Sequence, residues 1–191
     1  DIYAPVITNP FSYLLHPSKR QRDSNPKNRL DVERLNQGFK KLGWTELNNS
    51  SAVIKVNGLA LGFLGTDDPH EGRADLERVA AAAKNLADAE LIIGVTHAPY
   101  LEVLQSLSSL GAQVIFAGHT HGGQVCIPFI GKALVTNCDL PTKYARGTHQ
   151  YSGNGKSFWL NVCAGLGNSI YAPVRLACRP EVRVITLTAK N

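Results

Sequence analysis

Three histidines stand where a sequence can most easily build a metal site. His97 follows the apolar run Leu91 to Val95, and His119 and His121 follow the run Val114 to Ala117. Neutral imidazole is a common metal ligand. In Gly118-His119-Thr120-His121-Gly122-Gly123 the flanking glycines let the backbone fold tightly while both rings turn inward. One histidine at a strand end is ordinarily a satisfied surface or core residue; three at adjacent strand ends favour a shared cation. Asp67 and Asp68 precede Pro69. They read either as an Asx turn that caps the next helix or as a substrate-proximal loop beside the metals. Arg146 and Arg175 read as phosphate contacts or as structural partners, and His70 as a further ligand or a plain loop residue.

The elements that position these side chains can be read from periodicity. Leu91 to Val95 and Val114 to Ala117 are short apolar runs joined by an amphipathic stretch, Tyr100 to Leu110, that stops at Gly111. This is a strand-helix-strand unit with parallel strands. Ligands of open α/β sheets bind beyond the carboxyl ends of the strands, so all three imidazoles project from one edge. Ala52 to Val56 and Leu59 to Leu64 flank Asn57-Gly58, a hairpin signal. The spacing predicts helices from Asp31 to about Leu42, with Leu35, Phe39 and Leu42 on one face, and from Arg73 to about Ala89, with Leu76, Val79, Ala83 and Leu86 on one face. Residues 65–72 read as a loop. Beyond residue 123 the pattern turns β-rich, at Gln124 to Ile127, Ala133 to Thr136, Ser157 to Cys163 and Glu181 to Leu187.

Composition narrows the classes. The chain has 191 residues, 43% hydrophobic and 18% charged, which is globular and excludes general disorder. No run approaches the roughly 20 apolar residues of a membrane span, and no signal peptide is visible at Asp1-Ile2-Tyr3. The basic run Lys19, Arg20, Arg22, Lys27, Arg29 reads as a solvated loop, with a phosphate, nucleic-acid or membrane contact as the other reading. No aromatic residue interleaves with it, so nucleic acid is not an expected partner. Cys126, Cys138, Cys163 and Cys178 form no C-x-x-C pair, which disfavours a closed zinc knuckle. Buried thiols are expected, with one disulfide as the alternative.

Gly118-His119-Thr120-His121-Gly122-Gly123-Gln124 resembles the last metal-binding motif of the calcineurin-like metallophosphoesterases, in the bacterial branch where G-H-x-H runs on into G-G-Q. Thr96-His97-Ala98-Pro99 is similar to the motif before it. Gly65 to Pro69, and Ala164 to Gly167 through Arg175 to Pro180-Glu181, are similar to that branch as well. The resemblance implies an α/β fold, part of a double β-sheet sandwich flanked by helices. It implies a site with two divalent metal ions, of Mn, Fe, Zn or Co. His97 and His119 would bind one ion and His121 the other. Asp67, Asp68 and Arg175 would lie near the substrate. It implies hydrolysis of a phosphoester or pyrophosphate in a phosphorylated small molecule or a phospholipid-like substrate.

The family's D-x-H, G-D and G-N-H-[DE] motifs do not occur in this sequence. Asp1-Ile2-Tyr3-Ala4-Pro5 resembles the stretch just after G-N-H in that branch. The chain is therefore expected to be the C-terminal part of a single metallophosphoesterase domain, inactive by itself, with its general-acid His upstream of Asp1. The resemblance further implies a cytoplasmic protein, with peripheral membrane contact through a missing N-terminal segment as a variant. The rival readings are a non-catalytic remnant or interaction module of the same fold, and a protein that binds a single metal.

Overall fold

Asn57 and Gly58 both adopt left-handed backbone, with φ of 52° and 87°, and turn the chain between β1 (Ser50–Val56) and β2 (Leu59–Gly65). Val56 pairs directly with Leu59, and Ser50 with Gly65. This is the two-residue hairpin that an Asn-Gly pair specifies, because both central positions need positive φ. The computed structural model describes residues 30–153, 155–168 and 174–188. The chain divides into two units: Asp1–Glu46 with Ser169–Pro173, and Leu47–Asn168 with Val174–Asn191. The basic run at residues 19–29 and His16 lie outside the described residues.

In the first unit the described segment is a single helix, α1 (Val32–Lys41). The Asp31 side chain accepts from the Arg34 amide at 2.9 Å, and Lys40 and Lys41 sit in the last turn. Both features suit the helix dipole. On its apolar stripe Leu35 is 38% and Leu42 73% exposed, and Phe39 is half-buried. Phe39 stacks on Trp44 just beyond the helix end, with ring centroids 4.7 Å apart.

The second unit is a mixed six-stranded sheet flanked by helices, an α/β fold. After the hairpin come α2 (Leu76–Ala83), β3 (Leu91–Thr96), α3 (Leu101–Ser109), β4 (Val114–Ala117), β5 (Gly147–Gly153) and β6 (Lys156–Val162). The strand order is β1-β2-β3-β4-β6-β5. Strands β2, β3, β4 and β6 run parallel, and β1 and β5 are antiparallel edges. Because β2, β3 and β4 advance in one direction through right-handed crossovers, α2 and α3 lie on the same face. Leu64, Val79, Leu86, Leu104, Leu107, Ile115 and Leu160 form the core there. A Cβ added to Gly94 would meet Ile115, Leu107 and Ala112 at 3.0–3.4 Å, which marks that face.

The opposite face is apolar too. Phe63, Ile93 and Val114 are in register across β2, β3 and β4, with Trp159 next on β6. Ile93 and Val114 are buried, whereas Trp159 is half exposed. Strands apolar on both sides are typical of parallel sheets that lie between two layers. Among the described residues no helix is long and apolar enough to cross a membrane.

Several expected elements come out differently. The helix expected from Arg73 starts three residues later, because Asp75 caps it by accepting from the Arg78 amide. It ends in a single 3-10 turn at Lys84–Leu86. Residues 124–127 and 133–136 form only isolated bridges, Val125 with Leu176 and Cys126 with Ala133. Residues 181–187 form no strand. Their alternation is real, but the segment lacks a ladder partner among the described residues apart from the Glu181 amide on Gly165 O, and Val182 and Val184 are 74% and 92% exposed. Strand β5, a polar edge strand, carries no such periodic signal.

Candidate metal centre

The loops after β2, β3 and β4 leave the sheet on one edge, and their backbones are stitched together. The Gly118 amide donates to His97 O at 2.9 Å, and the Thr66 and Thr96 hydroxyls meet at 2.8 Å. His97 and His119 are brought ring to ring: His119 Nδ1 lies 3.2 Å from His97 Nε2, with the ring planes at 76°. His119 Nε2 lies 3.2 Å from Asn137 O. With its proton on Nε2, His119 would donate to Asn137 O and turn a bare Nδ1 toward His97; the Asn137 amide nitrogen also lies 3.5 Å from Nε2. His121 follows two residues later in the same loop, and its imidazole is a minor influence on His119.

Backbone strain is concentrated in this loop. His119, His121 and Gln124 have φ of 65°, 48° and 53°, and Gly122 and Gly123 have 67° and 84°. A residue with a Cβ in left-handed backbone costs about 1–2 kcal/mol, and such outliers cluster at functional sites. Thr120 offsets part of the cost, since its hydroxyl donates to Ala145 O at 2.6 Å and accepts from the Gly122 amide. The two glycines also permit close packing: a Cβ on Gly123 would stand 2.3 Å from Ala133 Cβ, and one on Gly122 2.9 Å from Cys178 Sγ.

Burial first, and then the neighbouring His70, lower the His119 pKa from 6.5 to about 3, with the Asn137 carbonyl opposing. His121 is lowered by burial and then by Arg175. Both imidazoles are neutral at neutral pH, the form that binds metal. The folded-state values lie below the unfolded ones, so at intermediate pH the unfolded chain binds more protons and stability rises with pH. In metal-free protein the urea midpoint is expected to fall steadily from about pH 7 to about pH 4. A flat profile would contradict the lowered His119 and His121 values.

The remaining expected residues occupy the surrounding loops. Asp67 Oδ1 accepts from the Asp68 amide at 2.7 Å and Oδ2 pairs with Arg73 Nε at 3.1 Å; Asp68 Oδ1 accepts from the His70 amide at 2.8 Å. The Asp68–His70 contact is an Asx turn, but neither aspartate caps the next helix, which Asp75 caps instead, and these contacts do not bring either carboxylate onto the histidines. Arg175 Nη2 donates to Ala164 O at 2.7 Å, to Gly165 O and to Gly167 O, and Nη1 donates to His121 O at 3.1 Å. The guanidinium thus ties residues 164–167 to the histidine loop. Lysine cannot reproduce that planar fork. Arg175→Lys is expected to lose at least about 1.5–3 kcal/mol of stability in urea unfolding; an unchanged midpoint would contradict the clamp. Arg146 reaches Gly131 O, and His149 Nε2 lies 2.8 Å from Arg146 O.

Three neighbours support the cluster in ways that sequence does not signal. His70 lies against His119 with ring centroids 4.3 Å apart and planes tilted by 42°, and its Nδ1 lies 2.8 Å from Tyr100 Oη. Asn137 brings its carbonyl and its side-chain amide to His119 Nε2. Nothing local in Val135-Thr136-Asn137 signals that contact, because it spans 18 residues. All four cysteines are free thiols, with Cys126 and Cys178 buried.

Two imidazole nitrogens on one ion at about 2.1 Å stand ~3.0–3.4 Å apart, depending on the bond angle. The 3.2 Å between His119 Nδ1 and His97 Nε2 matches that ligand edge. The fit extends to two donors: among the described residues no three His, Cys, Asp or Glu side chains are grouped to hold a metal.

No family model matches the chain, and no solved structure matches it. Curated relatives do. It is 30% identical over 149 residues to uncharacterized protein YpbG of Bacillus subtilis, covering 78% of this chain and 50% of the relative. It is 27% identical over 150 residues to uncharacterized metallophosphoesterase YkuE of the same organism, covering 78% and 48%. It is 26% identical over 187 residues to phosphodiesterase YaeI of Escherichia coli, covering 98% and 62%. The chain spans about half the length of the first two.

Proposed function

We propose that this chain contributes part of the metal centre of a calcineurin-like metallophosphoesterase, a hydrolase of phosphoester or pyrophosphate bonds. The observation that carries the reading is the His97–His119 pair, with Nδ1 of His119 facing His97 Nε2 and its Nε2 beside Asn137 O. Relatives named metallophosphoesterase and phosphodiesterase support it. His97 and His119 would hold one divalent ion and His121 a second. Two such ions clamp phosphate oxygens, supply a nucleophile at neutral pH and offset developing charge. The chain's own part is to present neutral imidazoles from a strained loop, with their positions fixed by Asn137 O, Thr120 and Arg175. The dinuclear reading also needs a carboxylate to bridge the two ions, and among the described residues none is grouped with these histidines.

Hydrolysis of an aryl phosphodiester and an aryl phosphomonoester with Mn2+ tests the reading. Protein that also carries the D-x-H, G-D and G-N-H motifs is expected to turn over one of them and to hold two ions. Residues 1–191 alone are expected to hold at most one and to be inactive. A single ion and no turnover in the motif-bearing protein would leave the single-metal protein as the correct reading.

A further inference from the structure

The segment that follows the histidine loop ends in an apolar point. Residues 126–133 form a narrow ribbon: Cys126 bridges Ala133, Ile127 N donates to Lys132 O, and Gly131 N donates to Ile127 O. At its apex Phe129 is fully exposed and Ile130 is 73% exposed. Phe129 also adopts φ of 66°, a conformation that costs about 1–2 kcal/mol for a residue with a Cβ and that glycine would take freely. A large aromatic side chain is thus kept in a strained backbone with no packing in return. Leu134 and Val135, on the return limb, are more than half exposed.

Two basic residues stand next to this point in a stretch of sequence that is mostly basic. From His119 to Pro180 the sequence holds six Lys and Arg against the single acid Asp139, while the rest of the chain is balanced. That excess equals the net charge of +5, although Lys156 reaches Ser109 O and Arg175 is held by backbone carbonyls, and Glu181 follows the stretch directly. Lys132 follows the apex within two residues, and Arg146 Nη2 reaches Gly131 O at the base of the turn.

We propose that the Phe129–Ile130 apex inserts into the surface of a lipid bilayer that carries anionic headgroups, with Lys132 and Arg146 at the level of the phosphates. An apolar point with a basic collar suits an interface in which the two meet acyl chains and headgroup phosphates in that order. The ribbon starts five residues beyond His121, so insertion would hold the histidine edge near the membrane. The inference does not depend on the hydrolase reading, because vesicle binding needs neither metal nor turnover.

Sedimentation with vesicles tests it. The protein is expected to pellet with phosphatidylcholine vesicles that contain phosphatidylglycerol, less with phosphatidylcholine alone, and less again as salt rises. Phe129→Gly with Ile130→Ser is expected to weaken binding by roughly tenfold or more. Phe129→Gly alone is expected to keep or raise the melting temperature, since the strain is relieved, which separates lost insertion from lost folding. Phe129→Trp is expected to retain binding. Wild-type protein that stays in the supernatant with the mixed vesicles at low salt overturns the proposal, as does unweakened binding by the double variant. Self-association of the wild type that the double variant abolishes, without vesicle binding, would assign the point to a second copy and overturn it too.

Discussion

His119→Ala is expected to lower Mn2+-dependent phosphodiester hydrolysis by the motif-bearing protein about 10²–10⁴-fold, the loss of several kcal/mol of transition-state charge stabilisation. The ring is central to the cluster. Nδ1 faces His97 Nε2 at 3.2 Å, Nε2 lies 3.2 Å from Asn137 O, and the His70 ring lies tilted against it. Removing it takes away one donor of the pair and releases the partner. Metal content measured in parallel should fall, while the circular dichroism spectrum should hold, because the β4 core does not depend on this side chain. Retained turnover with retained metal would place the ions elsewhere.

Ile115→Ala is expected to cost about 2–5 kcal/mol, the range for a large aliphatic truncated in a filled core. For a unit of this size that is a fall in melting temperature of about 5–15 °C. Ile115 is fully buried in the middle of β4, pairs with Gly94 on one side and Leu160 on the other, and fills the space above Gly94. Trp159→Ala removes a larger side chain from the other face of the same sheet. Trp159 is half exposed, so its replacement should cost less than that of Ile115. Equal losses in urea unfolding would mean that the core is not on the helix side.

Those elements of the fold whose signal is local are legible in the sequence. Asn57-Gly58 specifies its own turn, and the unit from Leu91 to Ala117 announces parallel strands by apolar runs around an amphipathic helix. The placement of His97 and His119 on one edge follows from that unit alone. Features that escape a sequence reading depend on partners distant along the chain. Strand β5 is Gly-Thr-His-Gln-Tyr-Ser-Gly, polar because it is an edge, and only its pairing with β6 makes it a strand. Residues 181–187 alternate as a strand should, yet a strand exists only with a ladder partner. Asn137 O on His119, and the Arg175 clamp across 54 residues to His121 O, are contacts that the tertiary fold creates. From sequence Arg175 reads either as a phosphate contact or as a structural partner; the carbonyls that surround it carry no signature in sequence.

The anomalous signal of Mn2+ in crystals of the motif-bearing protein tests the central claim most directly. The account predicts a peak about 2.0–2.2 Å from both His119 Nδ1 and His97 Nε2, with His119 Nε2 still on Asn137 O and a second peak bound by His121. An ion bound away from these nitrogens, with His97 and His119 still hydrogen-bonded to each other, would contradict it.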